Sequence, residues 1–135
     1  MHRVCISRTG LYVPPHVISN AELVETFNQF ADLENARLAA DIANGSVSAI
    51  AHSSVEFIDK ASGIQQRYVM EKSGVLDPRR MRPRLTARPD SELSLMAEIS
   101  VAAAQDALAR AGKKPAAVDG VICAAANMQR AYPAM

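Results

Sequence analysis

The sequence has no tryptophan, only 4% aromatic residues, two cysteines in 135 residues and a net charge of +1. Each scarcity excludes something. With so few rings, an interior must be built from the Ala, Val, Ile, Leu and Met that dominate the 49% hydrophobic fraction. A balanced charge creates no long-range field, so neither nucleic acid nor a membrane surface is expected as a partner. Cys5 and Cys123 make no disulfide framework and have no metal-ligand spacing. Reduced packing thiols in a cytoplasmic setting are the expectation. No apolar run is long enough to span a membrane, and no signal-peptide pattern, repeat or low-complexity tract is visible. The length bounds the chain at one ordinary domain.

What is present is concentrated after Pro89. Asp90 has the chemistry to cap a helix, because its carboxylate can accept a free N–H of the first turn. From Leu93 to Ala111, thirteen of nineteen residues are apolar, and Ser94, Glu98 and Gln105 fall on one narrow stripe. A helix apolar over so much of its surface is expected to be buried on several sides. Gly112 stops it, with Lys113, Lys114 and Pro115 behind. Asp119-Gly120 then leads into the continuous apolar run Val121 to Ala126, which reads as a strand covered on both faces. A buried helix feeding a buried strand predicts a layered α/β fold. Asn127 to Met135 would lie at the carboxyl end of that strand, where such folds bind ligands.

Earlier in the chain, Arg3 to Ser7 reads as a first buried strand, and Gly10 with Pro14-Pro15 as a turn. Ser19 and Glu22 have capping-box spacing. They predict a helix from Asn20 with Leu23, Val24, Phe27, Phe30 and Ala31 on one side. It continues, with a break, through Leu33, Leu38 and Ile42 to a stop at Asn44-Gly45. Ser53 and Glu56 repeat the spacing, predicting a short helix from Ser54 to Ala61 that ends at Gly63. Gln65 to Met70 is strand-like. Glu71 to Pro89 contains Gly74, Pro78 and Pro83 and five arginines, and reads as a basic, looped excursion. Two or three strands do not close a core, so the chain reads as part of something larger.

Four stretches together resemble the amino-terminal part of the β-ketoacyl-acyl-carrier-protein synthase III family, in the thiolase superfamily. They are Ile6 to Pro14, with its G-x-Y-x-P turn; Ile18 to Leu23; Phe57 to Arg67; and the helix and strand ending in Ala131-Tyr132-Pro133-Ala134. Their order and spacing carry the likeness. Residues 33–51 and 71–88 are longer than in the common bacterial enzyme, which resembles a subgroup that condenses medium-chain acyl groups. The resemblance implies an incomplete half-domain over residues 1–135, part of a thiolase-like αβαβα fold.

It also implies an acyltransferase of fatty acid synthesis. An acyl group passes to a Cys thiolate, malonyl-carrier protein loses carbon dioxide, and the carbanion attacks the acyl thioester, with His and Asn stabilising the oxyanion. None of those catalytic residues matches a position here, and no cofactor or metal is implied. The partners implied are acyl-coenzyme A or acyl-carrier protein, malonyl-carrier protein, a remaining carboxyl-terminal portion on another chain, and a homodimer of complete units. Tyr132 matches the family's acyl-pocket Phe; packing beside Pro133 is its alternative. Phe57 and Ala61 stand where the family has the Trp and Arg that clamp coenzyme A. Phe57 can stack, whereas Ala61 cannot pair a charge. Arg80, Arg82 and Arg84 are candidates to dock an acidic carrier protein, against the alternative of a solvated loop. Another thiolase-superfamily condensing enzyme, or a non-catalytic acyl-thioester-binding or structural subunit, remains open.

Overall fold

The computed structural model describes residues 5–125, in two units: Pro14–Leu85, and the ends of the chain, Met1–Val13 with Thr86–Met135. Tyr132 and the rest of Asn127 to Met135 lie outside the described residues. Helices and a two-stranded sheet are both present, consistent with an α/β chain.

In the first unit, β1 (His16–Ser19) pairs antiparallel with β2 (Gln66–Val69), with Val17 opposite Tyr68 and Ile18 opposite Arg67. Side chains alternate across a strand. Ile18 therefore points inward at 1% exposure while Val17 and Tyr68 face outward. Helix α1 (Asn20–Arg37) starts directly after β1. Ser19 caps it reciprocally: its hydroxyl accepts the Glu22 N–H at 3.3 Å, and Glu22 Oε2 accepts the Ser19 N–H at 2.9 Å. Thr26 and Ala31 are its buried side, and the Phe27 and Phe30 rings meet at 6.2 Å. The break falls at Leu38, the short helix α2 (Ala39–Ala43) follows, and Asn44 ends it before Gly45 at φ 78°.

Helix α3 (Val55–Ser62) is capped by Ser54, one residue beyond the cap read from the Ser53–Glu56 spacing, and ends at Gly63 in the left-handed region at φ 67°. Strand β1 was not anticipated. Its partner is distant in sequence, and its four residues show no alternation of their own.

In the second unit, α4 (Leu95–Ala111) ends at Gly112 as expected, φ 61°. Its cap is Ser94, whose hydroxyl accepts the Ala97 N–H at 3.1 Å, and Asp90 does not fill that role. Ser94, placed on the polar stripe by sequence, is almost fully buried because that bond satisfies it. Residues 5–13 cover part of the helix. The Leu11 N–H donates to Asp106 Oδ2 at 3.0 Å, and Gly10 approaches so closely that a Cβ would stand 2.2 Å from the Ala103 carbonyl oxygen. Burial on several sides does not follow: of α4, Ala97 alone is fully buried, and Val101 is exposed.

Neither apolar run forms a strand among the described residues. Cys5 to Ser7 and Gly120 to Ala125 are irregular; Val121 is 82% and Ile122 99% exposed. A ladder needs a neighbouring strand to pair its N–H and C=O groups, and the described residues offer none to either run. Cys5 is consequently exposed and Cys123 half-buried, its Sγ 3.5 Å from Ser100 Oγ, instead of packing inside a sheet. No helix among the described residues is long and apolar enough to cross a membrane.

Candidate functional site

Phe57 stands in the first turn of α3, its N–H held by the Ser54 hydroxyl at 3.1 Å, and the residue is 67% exposed. One buried residue fixes the helix beneath it. Asn20, 4% exposed, donates from Nδ2 to Asp59 Oδ1 at 2.6 Å on α3 and to the Ile64 carbonyl at 2.7 Å. Its Oδ1 accepts from the Arg67 guanidinium at 2.7 Å on β2. Every polar atom of that amide is used, so α1, α3 and β2 are tied at one point.

Two further asparagines hold the segment that leads into α3. Asn35 Nδ2 donates to the Ile50 carbonyl at 2.9 Å while its Oδ1 accepts the Ile50 N–H at 2.8 Å. Asn28 does the same for Ser53, at 3.1 and 2.8 Å. Two turns of helix rise about 10.5 Å, and three residues span that only when nearly extended. Residues 50–53 are thus stretched along α1. Between the two clamps, His52 Nε2 lies 2.7 Å from Asp32 Oδ1.

Two cavities open along this seam. One of about 480 Å³ is lined by Phe27, Ala51, His52, Ser53, Ser54 and Phe57. The other, about 230 Å³, is lined by Leu23, Val24, Phe27, Ser53, Ile58 and Met81. They share Phe27 and Ser53. The second is almost wholly apolar and suits a hydrocarbon group better than a charged one.

The arginine-rich excursion is built on acids. Glu71 collects the Ser73 hydroxyl at 2.5 Å and the N–H groups of Ser73, Gly74 and Arg84 at 2.6, 2.9 and 2.6 Å. Those donors hold its carboxyl down to about 2, the Ser73 hydroxyl first among them. Glu22 is likewise held at about 2, chiefly by Lys72, whose ammonium lies 2.6 Å away, with Ser19 adding to it. Arg84 pairs with Asp77, and Arg80 donates to the carbonyls of Arg82 and Pro83 at 3.1 and 3.4 Å. Arg88 belongs to the other unit and pairs with Glu98 at 2.7 Å. Arg79, Arg80, Arg82 and Arg84 thus lie in one unit and Arg88 in the other. Arg80 and Arg82 are exposed, and no carboxylate among the described residues lies within ion-pair distance of either.

Of the residues singled out in sequence, Phe57 borders a cavity and Arg80, Arg82 and Arg84 share one loop. Tyr132 lies outside the described residues. Sequence reasoning missed Asn20, Asn28, Asn35 and Met81. The spacing of seven between Asn28 and Asn35, which returns to the same helix face after two turns, was the available signal. Among the described residues no cluster of His, Cys, Asp and Glu could hold a metal ion.

No family model matches the chain. Over 112 residues, 83% of its length, it is 52% identical to a curated protein of Pseudomonas aeruginosa named β-ketodecanoyl-[acyl-carrier-protein] synthase. The chain spans 32% of that relative's length. The likeness is to an amino-terminal portion of that synthase, in line with the resemblance read from the sequence.

Proposed function

We propose that this chain forms the amino-terminal portion of a thiolase-fold ketoacyl synthase, which condenses an acyl thioester with malonyl-carrier protein in fatty acid synthesis. The observation that carries the reading is the 52% identity over 112 residues with the β-ketodecanoyl synthase. A β-ketodecanoyl product made by two-carbon extension starts from an octanoyl group, so a medium-chain thioester is the proposed substrate. The reacting Cys, His and Asn of the family would come from the remaining portion. This chain would supply walls and approaches to the site, in a cytoplasmic homodimer of complete units. Residues 33–51 and 71–88 are proposed as insertions on that scaffold.

Within it, Phe57 is proposed to line the tunnel mouth and Tyr132 the acyl pocket. Arg80 and Arg82 would meet the acidic carrier protein; Arg84, already paired with Asp77, would mainly shape their loop. Exposed apolar residues such as Val121 and Ile122 support the reading, because a contiguous apolar surface of this kind is normally covered. Two experiments on the complete enzyme test the assignments. Tyr132→Ala is expected to shift preference toward longer acyl chains; an unchanged chain-length profile removes Tyr132 from the pocket. Arg80→Glu with Arg82→Glu is expected to lower kcat/KM for carrier-bound substrate about tenfold, and less at high salt, while sparing coenzyme A thioesters. Equal effects on both donors would reduce the loop to a solvated surface.

A further inference from the structure

Residues 71–84 contain no helix or strand, yet they are fastened at both ends to one carboxylate. Glu71 binds the N–H groups of Ser73 and Gly74 at the start of the segment and of Arg84 at its end. The Gly74 carbonyl accepts the Arg82 N–H at 3.1 Å. Gly74 is buried in the closure, where a Cβ would stand 2.5 Å from the Arg82 carbonyl oxygen and 2.8 Å from the Arg84 nitrogen. Inside the loop, the Asp77 carbonyl takes the Arg80 and Met81 N–H groups at 2.9 and 2.8 Å.

Next to the Arg82–Gly74 closure stands Met81, with φ 49°, the one non-glycine residue in the left-handed region among the described residues. A long side chain rarely adopts that backbone. It persists where the surroundings over-determine it, and such positions gather at clamps and switches. Here the strained residue presents a flexible thioether to the apolar cavity formed with Leu23, Val24, Phe27 and Ile58. At about 230 Å³ the cavity exceeds the roughly 150 Å³ apolar void that admits benzene in a protein core. A clasp, a strained residue and a cavity wall coincide in one short segment.

We propose that residues 71–84 form a strap clasped by Glu71, with Met81 as the movable wall of the cavity between α1 and α3. While the clasp holds, Met81 closes that side. When it opens, the left-handed conformation relaxes, the side chain withdraws, and space appears beside Ile58, the neighbour of Phe57 on α3. The effect on acyl binding rests on Phe57 contacting substrate; the strap itself does not.

The test uses the complete protein. In Glu71→Gln, amide exchange across 72–85 and peroxide oxidation of Met81 are expected to accelerate about tenfold, with α1 amides unchanged and Met70 and Met96 as oxidation references. In Met81→Gly the strap should stay protected, because glycine adopts this φ freely, while the acyl-chain profile broadens. Unchanged rates in Glu71→Gln would overturn the strap. So would loss of α1 protection in that variant, which would make Glu71 a support of the whole unit. Faster rates in Glu71→Gln with an unaltered acyl profile in Met81→Gly would leave the strap standing and remove the link to Phe57.

Discussion

Asparagine side chains do at three places in this chain what backbone does elsewhere. Asn28 and Asn35 each offer an N–H and a C=O to a residue of the returning segment, as a neighbouring strand would. Replacing either by Ala leaves a half-buried N–H and C=O without their partner. Each change should cost about 1 kcal/mol, near the low end for unsatisfied groups because water reaches the seam. Chemical denaturation of the complete protein measures this, and Asn→Asp, which keeps only the acceptor, should fall between. Gly10→Ala should cost more, about 1–3 kcal/mol, since its Cβ would meet helix backbone that cannot move aside. Legibility at this scale followed locality. The Ser19–Glu22 box was readable because both partners lie within one turn. Asp90 and Ser94 have the same capping chemistry, and the sequence reading chose Asp90 where Ser94 is the cap. The asparagine clamps were hidden because their partners arrive from a loop far along the chain.

Among elements, helices α1 and α3 and strand β2 were readable within a residue or two, because periodicity, caps and glycine stops lie in the local sequence. Strand β1 was not, and the two apolar runs read as strands form none among their described residues, for one reason. An apolar run states that a segment needs cover but not what pairs with its backbone. The junction of β1, α1 and the strap also makes a prediction in pH. Glu22 and Glu71 have carboxyls held at about 2 against an ordinary value of 4.5. A carboxylate depressed in the folded state contributes stability that is complete above its unfolded value and is lost as pH falls through the folded value. The denaturation midpoint should therefore decline as pH drops from about 5 toward 2. Lys72→Met removes the largest cause at Glu22 and should flatten that decline. An identical slope in the variant would show that Lys72 does not act on Glu22 in the folded protein.

At the scale of the whole molecule, the sequence carried the family better than the fold. Four short motifs in order were enough to indicate a likeness to ketoacyl synthases, and the 52% identity over 83% of the chain to a protein named as one agrees. The layered sheet expected around Val121 to Ala125 is not formed among the described residues; Val121 and Ile122 are left facing outward. Helix α4, expected inside, is only partly covered, by residues 5–13 and at Ser100 by Cys123. An apolar helix and an unpaired apolar run require partners that the described residues do not provide, so the account stands or falls on activity of the native assembly. The direct measurement is turnover by protein purified intact from its own cells, given octanoyl thioester and malonyl-carrier protein. The account predicts release of carbon dioxide with formation of β-ketodecanoyl-carrier protein. Stable binding of the octanoyl thioester with no carbon dioxide released would contradict it, and would leave a binding subunit in place of a synthase.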